Sequence, residues 1–273
     1  MKYLLMLLTL VFVSCNSATN SKTSPSNDIG GEVDQNIEKM KNKVIIITGA
    51  SSGIGEACAM AYAQKGSKIV LAARNLEKLK AVEQKIIATG SEVIAVRCDV
   101  SISQDCENLI EQTVAKFGAI DVLINNAGLL INKPITSMLD MDFDRIFDIN
   151  VKSAFRLIRD LLPYLNSGAH VVNISSMGGV QGSSKFPGLS LYSASKGALA
   201  VLTECIAEEL AEQRVFVNAL ALGAVQTEML AQAFPGYQAP LQPNEMAGFI
   251  ADFAKNGHRF FNGKILPVSL STP

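Results

Sequence analysis

This sequence lacks a charge excess of either sign: 24 lysines and arginines face 25 aspartates and glutamates, for a formal net charge of -1. Such a balance sets up no field that would hold a polyanion or steer the chain to a charged surface, which argues against nucleic acid as a partner. Histidine is scarce, and the two present, His170 and His258, lie far apart in sequence. The five cysteines form no C-x-x-C pair and no metal-ligand spacing, so no metal site is expected. Cys58, Cys98, Cys106 and Cys205 sit in apolar or mixed segments and read as small buried hydrophobes, with disulfide pairing left open. What the chain does have is 48% hydrophobic composition over 273 residues, ample for one core.

At the start, Lys2 precedes an apolar run from Tyr3 to Val13 that is too short to span a bilayer, and Val13-Ser14-Cys15 closes it with small residues. Residues 1–15 resemble a bacterial lipoprotein signal, and that resemblance implies a lipid anchor at Cys15. A plain secretory signal, or an upstream stretch that is never translated, accounts for the same residues. Residues 16–39 are polar and rich in Ser, Thr and Asn, with too little apolar surface to order themselves, and read as a disordered tether.

From Lys43 onward, short β-branched runs alternate with longer amphipathic stretches: VIIIT, KIVLAA, EVIAVRC, DVLINNA, HVVNIS and FVNALAL are strand candidates, and GKILPV is a last apolar run. Nearly continuous apolarity suits strands covered on both faces, and segments of helical length between them imply right-handed crossovers. The expectation is an α/β fold, a doubly wound parallel sheet of Rossmann type in a single domain over residues 40–273. One helix is expected to stop at Gly66, and another to begin after Asn75 and stop at Gly90.

The first strand runs into Thr48-Gly49-Ala50-Ser51-Ser52-Gly53-Ile54-Gly55 and directly into a helix. A pyrophosphate can rest on helix N-terminal amides only where the turn is tight and no side chain blocks it, which these glycines allow. After the second strand comes Ala73-Arg74 where an acid would accept from a ribose hydroxyl; a guanidinium there favours a 2′-phosphate, the alternative being a surface arginine. Tyr192 and Lys196 share one face of the expected helix, and a cation near a phenol stabilises its phenolate.

Together these residues resemble the short-chain dehydrogenase/reductase family: T-G-x-x-x-G-x-G at Thr48 to Gly55, N-N-A-G at Asn125 to Gly128, the helical Asn150, Ser176, and Y-x-x-x-K at Tyr192 to Lys196. The resemblance implies carbonyl–alcohol interconversion by hydride transfer, with NADP(H) preferred and NAD(H) as the other choice. By it, Tyr192 protonates the carbonyl oxygen, Ser176 fixes that oxygen, Lys196 assists the phenol or binds ribose, and Asn150 holds a water that links Lys196 to solvent. The implied cofactor contacts are Thr48, Gly49, Ser51, Ser52, Gly53, Ile54, Gly55, Arg74, Asp99, Val100, Asn126, Ala127, Gly128, Tyr192, Lys196, Val225 and Thr227. Asp99 could equally cap the following helix, Ser175 compete with Ser176, and Asn150 face solvent in mid-helix.

The chain departs from the family with Leu222-Gly223 in place of Pro-Gly and an ending without the acidic-Gly-Gly sequence. Phe234 and Tyr237 belong to a short lid candidate, and its sparse charge hints at a neutral carbonyl or alcohol; a 3-oxoacyl thioester, a sugar or another ketone all fit. Family members pair the helices that here carry Phe155, Leu157, Leu161, Leu199, Leu202 and Ile206, so a homodimer or homotetramer is implied, although a core role accounts for many of these side chains. A rival reading is a catalytically silent nucleotide-binding sensor tethered to a membrane. Translated from Met1 the chain is addressed as a membrane-anchored lipoprotein; translated from Met40 it would be cytoplasmic.

Overall fold

The computed structural model describes residues 40–270; the signal-like segment, the tether and Cys15 lie outside the described residues. Each apolar run forms a strand: β1 (Val44–Thr48), β2 (Lys68–Ala73), β3 (Val93–Arg97), β4 (Ile120–Asn125), β5 (Leu165–Ser176), β6 (Phe216–Leu222) and β7 (Ile265–Val268). All pair in parallel, in the order β3-β2-β1-β4-β5-β6-β7. Parallel neighbours need crossovers rather than tight turns. These are made by α1 (Gly53–Ala63), α2 (Leu76–Ile87), α3 (Ser103–Phe117), α4 (Asp140–Phe147), α5 (Ser153–Leu161) and α6 (Ser190–Glu209), with α7 (Glu228–Ala233) and α8 (Pro243–Asn256) before β7.

Side chains alternate across each strand, so both faces of the sheet must be covered. Ile45 and Ile47 of β1 pack with Cys58, Tyr62, Leu79 and Ile250 in one layer. Val44 and Ile46 point the other way, onto Leu109, Leu157 and Leu161. That is why the strands read as unbroken apolar runs. The α2 start is marked by Asn75, whose side chain accepts from the Lys78 amide at 2.9 Å.

Some expectations need correction. β5 begins at Leu165, ahead of HVVNIS, because the polar Asn166-Ser167-Gly168 segment continues the strand across a register shift against β4. Leu157, Leu161, Leu199 and Ile206 are core, whereas Phe155 is exposed. Cys205 is exposed on the outer face of α6 rather than buried. No described helix is long and apolar enough to cross a membrane.

The chain winds outward from β1 to β3, then returns to place β4 on the other side of β1. Connections on either side of that switch point diverge, and a crevice opens at the carboxyl ends of β1 and β4.

Candidate active site

A cavity of about 1100 Å³ occupies this crevice and reaches from the end of β3 to the end of β6. Below it the turn after β1 is folded tightly. Gly49 has φ 67°, where L side chains are strained, and a Cβ there would lie 3.0 Å from the Ala127 Cα. A Cβ at Gly55 would lie 2.3 Å from the Gly49 carbonyl oxygen, so only glycine lets α1 start this close to the turn. Gly49, Ser51, Ser52 and Ile54 line the cavity, with Gly53 starting α1 behind them.

Thr48 and Asn126 hold the turns after β1 and β4 to each other. The Thr48 hydroxyl oxygen accepts from the amides of Asn126 and Ala127 at 3.0 and 2.9 Å, and Asn126 Nδ2 donates to the Thr48 carbonyl at 2.9 Å. Asn126, Ala127 and Gly128 also line the cavity.

At one end stand Arg74, exposed beyond β2, with Asp99 and Val100 beyond β3. Asp99 accepts from the Ser101 amide and hydroxyl at 3.0 and 2.7 Å. Burial alone would raise its pKa, but those bonds and the Arg74 and Arg97 charges outweigh it and hold the carboxyl below its usual range. Asp99 does not cap α3, whose first turn follows Ile102. Lys78 lines the same end, unforeseen in the sequence although it falls one helical turn beyond Arg74; its ammonium is 3.7 Å from Glu228 of α7.

At the other end β5 delivers two serines to different tasks. Ser175 is buried and its hydroxyl donates to the Lys196 carbonyl at 3.0 Å. Ser176 faces the cavity with Tyr192 and accepts from the Gly178 amide at 3.2 Å. Helical spacing on α6 sets Lys196 Nζ 5.8 Å from the centre of the Tyr192 ring, and the ammonium donates to the Ile174 carbonyl at 2.7 Å. Lys196 is 4% exposed, and burial pulls its pKa down to about 8. Burial raises the Tyr192 phenol, with the neighbouring Ser176 hydroxyl opposing.

Asn150 sits in a π-helical turn, Asp148–Lys152, between α4 and α5. Far from facing solvent, it is 2% exposed. Its Oδ1 accepts from the Leu129 amide at 2.7 Å, while Nδ2 donates to the Leu129 carbonyl and to Ser195 Oγ, both at 2.9 Å. Gly128 lies between Asn150 and Lys196: a Cβ there would be 3.5 Å from Asn150 Oδ1 and 3.6 Å from Lys196 Nζ. One buried knot thus joins the β4 turn, the π turn and α6.

The ordered set of glycine turn, serine, tyrosine and lysine around one crevice agrees with a match of residues 43–238 to the family model for short chain dehydrogenases. The chain belongs to the short-chain dehydrogenase family. It is 38% identical over 219 residues to a 3-oxoacyl-[acyl-carrier-protein] reductase of Synechocystis, an alignment covering 76% of this chain and 87% of the relative. Among solved structures it resembles a Burkholderia cenocepacia short chain dehydrogenase in complex with NADP, with TM-score 0.77 and 25% identity over 85% of this chain and 98% of that one. It also resembles a Brucella melitensis 3-ketoacyl-(acyl-carrier-protein) reductase complexed with NADH, with TM-score 0.76 and 28% identity over 84% and 98%.

In this short-chain dehydrogenase the departure at Leu222 leaves β6 intact: Leu222 is its last residue and pairs with Val268. Val225 and Thr227 line the cavity beyond it, Thr227 also capping α7 by accepting from the Leu230 amide at 3.2 Å. Phe234 of the expected lid meets Phe186 edge to face, ring centres 6.4 Å apart. Met229 of α7 joins Phe186, Leu129 and Leu130 in an apolar wall; nothing in the loops that carry the last three sets them apart in the sequence.

Proposed function

We propose that this oxidoreductase interconverts a carbonyl and an alcohol at Tyr192, using NADP(H) in preference to NAD(H). The observation that carries the assignment is the convergence of Ser176, Tyr192 and Lys196 at one end of a crevice whose other end is floored by the glycine turn. The residues present fit a dinucleotide, since side chains at Gly49 or Gly55 would collide with the turn that frees the α1 amides. Ser51, Ser52 and Ile54 would hold the pyrophosphate, Asp99 and Val100 the adenine, Ala127, Gly128 and Lys196 the nicotinamide ribose, and Val225 and Thr227 the nicotinamide itself. Arg74, with Lys78 beside it, favours a 2′-phosphate. When bound, the nicotinamide supplies or accepts the hydride.

Ser176 hydrogen-bonds the substrate oxygen and Tyr192 gives it a proton. A phenol raised by burial is protonated near neutrality, ready to donate in reduction; oxidation needs the phenolate and should quicken as pH rises. Lys196 adds positive charge beside the ring and Asn150 fixes the backbone it works against. The apolar wall suits a neutral ketone or secondary alcohol, a 3-oxoacyl chain included. Tyr192→Phe tests the assignment: carbonyl-dependent NADPH oxidation should fall by about 100-fold or more with NADPH binding kept. Unchanged turnover would sink it.

The stacked Phe143 and Phe147 and the exposed Phe155 support self-association through α4 and α5 into a dimer or tetramer, checked by light scattering. The signal-like residues 1–15 support a lipid anchor at Cys15 for protein initiated at Met1. The intact mass of protein from its native cells would separate an acylated chain beginning at Cys15 from an unmodified one beginning at Met40.

A further inference from the structure

Arg156 of α5 has no part in the chemistry above. The cations about one helical turn to either side, Lys152 and Arg159, are exposed and pair with Asp148 and Asp160 close by in the chain. Arg156 is half-buried and turns inward: its Nη1 donates to the Val100 carbonyl at 3.1 Å and to the Ser101 carbonyl at 3.2 Å. Bonds from a guanidinium are stronger than those between neutral groups. The segment they hold forms a wall of the cavity, since Asp99 and Val100 both line it. Its ends are fastened locally: the Asp99 amide donates to Asp105 Oδ2 at 2.8 Å, and the Ile102 amide to the Asp99 carbonyl at 2.9 Å.

Between those ends lies one planar unit, the peptide joining Val100 to Ser101. Its oxygen accepts from Arg156, and from Cys106 Sγ at the longer distance of 3.5 Å; its N–H donates to Asp99 Oδ1 at 3.0 Å. A planar peptide cannot turn at one end alone, so the guanidinium sets the direction of the N–H that holds the Asp99 carboxylate. Leu157 and Ile158, next to Arg156 on α5, are buried in the same cluster as Val100, which makes α5 a fixed post for this contact.

We propose that Arg156 is a positioning residue for the dinucleotide: through the Val100–Ser101 peptide it holds Asp99 and Val100 where they meet the adenine. Arg156 is not among the residues that line the cavity, so it acts on affinity through the wall. The effect on affinity rests on adenosine lying at this end of the cleft, as proposed above; the anchoring of the segment does not. Adenine is common to NADPH and NADH, so loss of Arg156 should weaken both alike, whereas loss of Arg74 should be felt through the 2′-phosphate alone.

Arg156→Met keeps an apolar stem and removes the donors. Titration calorimetry of the full chain with NADPH, NADH and adenosine 2′,5′-bisphosphate should show affinity lower by about tenfold for all three. Initial rates with ethyl acetoacetate as the carbonyl should give a KM for NADPH raised by a like factor with kcat unchanged, a split that general damage to the fold would not produce. Arg159→Met removes the same charge from the same helix and should leave all three affinities unchanged, which separates anchoring from long-range attraction to phosphate. In ligand-free Arg156→Met, hydrogen exchange should quicken at the Ser101 and Ile102 amides while the amides of α6 keep their rates. Where methionine leaves no folded protein, Arg156→Lys carries the comparison: its shorter stem reaches the carbonyls less well, and about a threefold loss is expected. Unchanged affinities, a loss confined to NADPH, or a fall in kcat as large as the loss of affinity would overturn the positioning role. Wild-type protein that binds none of the three ligands would instead overturn the cofactor assignment, and the exchange comparison would then decide the anchoring by itself.

Discussion

Replacing Lys196 with methionine should make the ligand-free protein more stable while removing its activity. Burial moves the ammonium from 10.5 to about 8. At about 1.4 kcal/mol per tenfold in proton affinity, keeping that charge inside the fold costs about 3 kcal/mol near neutral pH. Methionine is of similar length and carries no charge, but it leaves the Ile174 carbonyl without its 2.7 Å donor. An unsatisfied carbonyl offsets about 1 kcal/mol, for a net gain of about 2 kcal/mol. The pH dependence isolates the charge from the packing. Below about pH 8 the lysine is protonated in both states and the whole cost is present; between about 8 and 10.5 the unfolded chain holds a proton that the folded one has released, so wild-type stability rises with pH. Urea denaturation of both proteins from about pH 6 to 10 should give a difference that is level at first and shrinks above pH 8. A difference independent of pH, or a variant less stable than wild type throughout, refutes the desolvation argument.

Arg74→Ala should raise KM for NADPH by about tenfold and leave that for NADH unchanged, read from initial rates with each cofactor. Gly55→Ala puts a methyl 2.3 Å from the Gly49 carbonyl; it should lower stability by about 1–3 kcal/mol in a thermal melt and NADPH affinity more than proportionately, because the displaced turn is the one that seats the phosphates. His170 bonds the Ala254 carbonyl through Nδ1 and Asn218 through Nε2, at 2.9 and 3.0 Å, and burial pushes it down to about 4. Between the ordinary 6.5 and about 4 the unfolded chain takes up a proton that the folded one refuses, so stability falls as pH drops through this window. His170→Gln should flatten that acid limb.

The sheet was legible because strands buried on both faces leave unbroken apolar runs, and because Asn75 marks a helix start by local chemistry that needs no tertiary context. Tyr192 and Lys196 were legible for the same local reason, the helical period. Residues whose task is set by distant partners were not. Nothing near Asn150 announces that it grips Leu129, and Thr48 and Asn126 read as ligand contacts although their side chains fasten one turn to another. HVVNIS marks only the apolar part of β5, which begins at Leu165 and runs through Gly168, since the neighbouring strands supply partners that a lone segment does not show. Lys78 could have been found, one helical turn beyond Arg74.

The π turn at Asp148–Lys152 has a consequence for how this chain tolerates insertion and deletion. Such a turn is an α-helix that has absorbed one surplus residue locally, with the helical phase kept on either side. Loss of a single residue here, Ile149 for instance, would restore an ordinary helix without rotating Leu157 and Leu161 off the sheet. Most single deletions in a helix displace a whole core face; this one would keep that face in place and take away the side chain of Ile149 and the grip of Asn150 on Leu129 and Ser195. The protein therefore sits one codon from a folded relative whose active-site backbone has come loose.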